Sequence, residues 1–197
     1  MRTRFVARFI SCFALIAAAE SAHAQGSWLP YGTHGASDIA VSPKGVVWLV
    51  SRELRSIRTD LVLGDTRFAT PRGSPFRVAV DLNGFPWLLN SDGTVWHYVR
   101  GSTGTEDWEQ SPLKAVDIAV GANGAVWAID AEQRIVQLKD GAWESIGGKG
   151  VRISVDPAGN PWIVNATGQV SHWNGSSWML IPASASDISV APDGSVF

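Results

Sequence analysis

Two histidines stand at the same place in a repeated pattern. His97 lies in "VWHYV" and His172 in "VSHWN", each ten residues after a tryptophan, Trp87 and Trp162. Gln137 holds the corresponding place after Trp127. Imidazole and amide groups beside aromatic rings suit sugar recognition. A ring stacks on the C–H face of a sugar while the polar groups bond its hydroxyls. Tyr98 and Trp173 adjoin the histidines, and Trp108, Trp143 and Trp178 recur further along the chain. His97, Tyr98, His172, Trp173, Trp108, Trp143 and Trp178 are therefore the candidate ligand-binding residues. The competing role for all of them is packing between repeats.

Catalysis has less support. The chain shows no nucleophile elbow, zinc-binding helix or P-loop. "DLNG" (81–84) and "DPAG" (156–159) offer too few oxygen ligands for a calcium loop, and "GANG" fills the same slot elsewhere. They read as hairpin turns. The expectation is a binding protein, not an enzyme, with no metal and no cofactor.

A repeat must position these residues. "DIAVSPKGVVWLV" (38–50), "RVAVDLNGFPWLLN" (77–90), "DIAVGANGAVWAID" (117–130), "RISVDPAGNPWIVN" (152–165) and "DISVAPDGSVF" (187–197) restate one pattern. The aromatic falls at Trp48, Trp87, Trp127, Trp162 and Phe197, in steps of 39, 40, 35 and 35 residues. A glycine three residues earlier and a valine seven residues earlier keep the same steps. Such a period marks a repeat architecture.

Each unit reads as strands: a β-branched run, a glycine turn, a second run with Trp, then a third and a fourth. Four antiparallel strands in 35–40 residues make one β-propeller blade. The residue within the first strand is always small: Ala40, Ala79, Ala119, Ser154 and Ser189. That suits a crowded central axis, with Trp48, Trp87, Trp127 and Trp162 filling the wider gaps between blades. The residue opening each first strand alternates in sign: Asp38, Arg77, Asp117, Arg152 and Asp187. Acid and base should therefore face each other around one mouth of the axis.

"VDIAVGANGAVWAID…GAWESIGGKGVRISV" resembles the tectonin repeat, a hairpin with a Trp, a third strand, then "W-x-x-I-x-G" leading into the next copy. The likeness covers roughly residues 28–197 and is strongest over 115–197. It implies a β-propeller that acts as a lectin for bacterial or cell-surface glycans, or as a protein-interaction domain. "DPAGNPW" and "APDGSVF" also resemble, more loosely, hairpins of streptogramin-lyase-type and sensor-type periplasmic propellers. Those lack the regular fourth-strand Trp.

The ends of the chain carry their own signals. Arg2, Arg4 and Arg8 precede the apolar run "FISCFALIAAA" (9–19), and "AHA" (22–24) has small residues at the cleavage positions. These features predict a secretory signal peptide cut after Ala24, and a secreted or periplasmic protein. The apolar run is too short to span a bilayer. The only cysteine, Cys12, leaves with the signal, so no disulfide is expected. The net charge of −2 has no like-charge block, which argues against a nucleic-acid partner.

The expected organisation is a signal peptide (1–24) and one propeller (25–197). Its blades are near 37–76, 77–115, 116–150 and 151–185, with a partial fifth at 186–197. "SWLPYG" (27–32) reads as a fourth strand that could close the ring. Because Phe197 falls within a second strand, an incomplete ring is expected. The expected partner is a glycan or cell-surface polysaccharide, or else a protein.

Overall fold

Each hairpin of the repeat is built on the same turn. The turn glycines Gly45, Gly84, Gly124, Gly159 and Gly194 all have φ between 80° and 92°. Each donates its N–H to the carbonyl three residues back: Ser42, Asp81, Gly121, Asp156 and Ala191. That left-handed conformation costs a residue with a Cβ but not glycine. The glycine column of the sequence is therefore a turn requirement.

The computed structural model describes residues 36–51, 56–61, 64–68, 73–100 and 106–197. The expected signal peptide (1–24), residues 27–32 and parts of the two longer insertions lie outside them. Among the described residues there is no helix, and all strand pairs are antiparallel. Strands β1 (Asp38–Val41), β2 (Val47–Ser51), β3 (Ser56–Leu61) and β4 (Gly64–Phe68) form one four-stranded sheet in that order. Strands β12 (Arg152–Val155), β13 (Pro161–Val164), β14 (Gln169–Trp173) and β15 (Trp178–Ser184) form another.

Between them lies a seven-stranded sheet. It holds β5 (Pro75–Val80), β6 (Pro86–Asn90), β7 (Thr94–Arg100), β8 (Glu106–Val120), β9 (Val126–Asp130), β10 (Arg134–Lys139) and β11 (Ala142–Lys149). It is two four-stranded sets sharing one strand. The first part of β8, up to Lys114, pairs with β7, and the part from Ala115 pairs with β9. Register shifts at Thr94/Trp96 and Ala115/Asp117 mark the crossing. At the next junction β11 bulges at Gly147 and Gly148, both at positive φ, and Gly150 separates it from β12. A final hairpin joins Ser189 and Phe197 by two backbone bonds.

The small column sits directly across from the aromatic column. Ala40 faces Trp48, Ala79 faces Trp87, Ala119 faces Trp127 and Ser154 faces Trp162. A bulky cross-strand partner would displace the indole from the face it covers. Four apolar clusters follow, each drawn from two successive units. Trp48 and Val50 meet Val78, Val80 and Leu88. Trp87 and Leu89 meet Ile118, Val126 and Ala128. Trp127, Ile129 and Ile135 meet Ile153, Val155 and Ile163. Val164 and Val170 meet Ile188. Face-to-face packing of successive four-stranded sets is β-propeller construction.

Candidate functional site

The first strands of four units and the start of the final hairpin converge. Val41, Val80, Val120, Val155 and Val190, with Pro43, Pro157 and Pro192, line an open depression of about 100 Å³ at the turn end of those strands. The opposite ends carry the alternating charges. Arg77 lies 3.7 Å from both Asp38 and Asp117, and Arg152 lies 3.7 Å from Asp187.

Backbone chemistry explains the alternation. A first strand bonds β2 or its equivalent on one side only, so every second amide points toward the axis and needs an acceptor. Asp38 accepts from Val78 N of the next unit at 2.8 Å. Asp117 accepts from its own neighbour Ile118 N at 3.1 Å and from Ile153 N of the next unit at 3.1 Å. Asp187 accepts from Ile188 N at 2.9 Å. One carboxylate serves amides on two successive strands, so only alternate units need an acid. Arginine, which cannot accept, fills the positions between and offsets the buried charge. Burial pushes the Asp117 carboxyl up to about 6, although Arg77 and the two amides pull the other way. Burial also raises Asp38, against the Val78 amide and Arg77.

The histidines follow the same alternation. His97 stacks on Trp87 with ring centres 4.0 Å apart and planes 9° apart. His172 stacks on Trp162 at 4.3 Å and 20°. Each imidazole also reaches back to the aspartate opening the hairpin turn: His97 Nε2 lies 3.4 Å from Asp81, and His172 Nε2 lies 3.0 Å from Asp156. The other oxygen of Asp81 accepts the Asn83 and Phe85 amides, and Asp156 accepts the Asn160 amide. One carboxylate thus ties the turn, the third strand and the stacked Trp together. Burial alone would raise Asp81, but His97 and the two amides outweigh it and hold the carboxyl below its ordinary value. Asp156 is lowered in the same way, by the Asn160 amide and His172 against burial.

The third unit has Gly121 and Gln137 in these slots and lacks the staple. There Trp127 donates its indole N–H to Gly159 of the next unit at 2.9 Å, as Trp48 does to Gly84 at 2.8 Å. Trp87 has a buried indole N–H with no acceptor. Trp48, Trp87 and Trp127 are buried, and Trp162 is half-buried. Two kinds of unit therefore alternate. One has an axial Asp and a Trp bonded onward; the other has an axial Arg and an Asp–His–Trp staple.

The remaining candidates gather at the outer hairpins. Tyr98 faces Trp108 across β7 and β8, with ring centres 4.9 Å apart. Trp173 faces Trp178 across β14 and β15, at 5.4 Å. In the third unit Leu138 faces Trp143, so the ring pair is absent there. Trp108, Trp143 and Trp178 each pack toward the preceding unit. Trp143 bonds Ser111 at 2.9 Å and Trp178 bonds the Gly147 carbonyl at 3.2 Å. They are walls, while Tyr98 and Trp173, both half-buried, are the surfaces beside them. Phe85 lies edge-on to Tyr98 at 6.0 Å. Asn160 holds the Phe85 position in the fourth unit, so no such edge-on ring stands beside Trp173 there. The adjacent turn is polar: Asn174 Oδ1 accepts from Ser176 N and Ser177 N at 3.0 and 2.9 Å.

Sequence reasoning brought His97 and His172 to equivalent places but did not find their carboxylate partners. The signal was available: Asp81 and Asp156 stand 16 residues before each histidine, and a Gly–Gln pair replaces both in the third unit. Among the described residues no group of three or more His, Cys, Asp or Glu could hold a metal. None of their helices could cross a membrane, since none is present.

Comparison with known proteins agrees with this architecture. Residues 114–197 match the tectonin domain family. No curated protein matches the sequence. Among solved structures the chain is similar to virginiamycin B lyase from Staphylococcus aureus, with 20% identity and a TM-score of 0.59 over 82% of this chain and 62% of the lyase. It is also similar to a protein of unknown function from Bacteroides thetaiotaomicron (12%, TM-score 0.62, 84% of this chain and 56% of that one). A third is the extracellular domain of a hybrid two component system from B. thetaiotaomicron (12%, TM-score 0.59, 87% of this chain and 27% of that one). The chain spans less than two thirds of each of these structures. At such identities the likeness concerns the fold.

Proposed function

We propose that this β-propeller, tectonin over residues 114–197, is a secreted carbohydrate-binding protein that works by multivalent attachment and not by catalysis. The observation that carries the reading is the paired aromatic rim. Tyr98–Trp108 and Trp173–Trp178 occupy the same place on two alternate units, half-buried, the second beside the polar Asn174 turn. A half-exposed ring on a rigid hairpin stacks a sugar face at low entropic cost, and neighbouring hydroxyl and amide groups fix its orientation.

His97 and His172 act behind this surface. Their rings are committed to Trp87 and Trp162, and their Nε2 atoms to carboxylates. They stiffen the strand that carries Tyr98 or Trp173. Two weak sites on one rigid body gain avidity on a repetitive glycan.

A glycan-array screen of the purified protein tests this. Binding confined to one sugar class supports it. An array without a hit, alongside capture of a protein partner, moves the assignment to an interaction scaffold.

A further inference from the structure

Outer strands are the free edges of a propeller's sheets, and free edges invite pairing unless something guards them. Two described outer strands are guarded by charge. The outer part of β8 carries Asp107, Glu109 and Lys114; β11 carries Glu144 and Lys149. β15 reads Trp-Met-Leu-Ile-Pro-Ala-Ser over Trp178–Ser184 and holds no charge. Among the described residues it is the last strand of its sheet, and two of its apolar side chains are open, Met179 at 41% and Leu180 at 61% exposure.

We infer that β15 is a self-association edge, pairing antiparallel with β15 of a second copy of this chain across a twofold axis. A twofold contact places a strand against itself, so like charges on it would oppose each other directly. The outer part of β8 has two acids, Asp107 and Glu109, against one lysine and would repel its own copy. β15 meets itself with no charge to repel, and Met179 and Leu180 cover their counterparts. Pro182 has no N–H to offer a ladder, so pairing runs through Trp178–Ile181. The inference does not depend on the sugar reading. If both hold, pairing places the Trp173–Trp178 rims of two copies side by side and doubles the sites on one particle.

Sedimentation velocity from about 10 µM to about 1 mM, a range that covers weak association, tests it. Three proteins are compared: the natural chain, Leu180→Lys, and Glu144→Lys on β11 as an edge control. Thermal unfolding checks that the variants fold. The expected result is a concentration-dependent dimer for the natural chain and Glu144→Lys, and a monomer for folded Leu180→Lys. Amide hydrogen exchange should slow at Trp178–Leu180 as concentration rises. A natural chain that stays monomeric overturns the inference, whatever else β15 binds. So does a dimer that survives Leu180→Lys, or one lost equally in Glu144→Lys.

Discussion

At the scale of residues, carboxylates decide more than the histidines that first draw attention. Asp117 is 5% exposed and titrates at about 6 against an ordinary 3.8. A raised value in the folded state means the fold holds the protonated form better than the unfolded chain does. This group's contribution to stability is therefore greatest below pH 3.8 and is lost as pH rises toward 6, a difference of roughly 3 kcal/mol at most. Unfolding free energies between pH 4 and 7 should fall more steeply for the natural chain than for Asp117→Asn. Asp81 and Asp156 act oppositely. Their lowered values give stability above pH 3.8 that is lost in stronger acid.

The staple has its own test. Asp81→Gly and His97→Gln together copy the third unit. Because both residues serve one contact, the double variant should cost less than the summed singles, with a coupling of about 0.5–2 kcal/mol by denaturant unfolding. Strict additivity would show that the 3.4 Å contact contributes nothing. The sequence made the histidine column legible because spacing alone reveals it. It hid the carboxylates, because an Asp before a hairpin glycine is already accounted for by the turn it caps.

At the scale of elements, the hairpins were readable almost residue by residue. Glycine, small residue and aromatic each answer a local demand: a positive φ, a cross-strand vacancy and a face to cover. The passage between units was less readable. β8 runs unbroken from the rim of one four-stranded set to the axis of the next, whereas in the next passage Gly147 and Gly148 bulge β11 and Gly150 lies in the gap before β12. Strand ends depend on which partner each residue finds, and period-2 patterning does not state that.

Gly148 also sets the rim site of the fourth unit. Its φ is +83°, and a Cβ there would lie 2.9 Å from the Trp178 indole nitrogen. Gly148→Ala should strain the turn and push Trp178 off the Gly147 carbonyl, costing about 1 kcal/mol or more. It should weaken sugar binding at Trp173 and spare the Tyr98 site. Equal loss at both sites would mean global damage, not local repositioning.

At the scale of the whole molecule, the described units alternate between two kinds. Axial Asp with an onward-bonded Trp gives way to axial Arg with an Asp–His–Trp staple, and the paired aromatic rims among the described side chains lie on the second kind. The alternating signs of Asp38, Arg77, Asp117, Arg152 and Asp187 were visible in the sequence. Their reason was not, since it lies in amides of neighbouring strands that point toward a common axis.

Alternation sets the expected valency of the described units, and calorimetric titration with the sugar identified on the array measures it directly. The account predicts two sites per chain, one in Tyr98→Ala, one in Trp173→Ala and none in the double variant, with all four proteins folded. A site on every unit, or binding that survives the double variant, would contradict it.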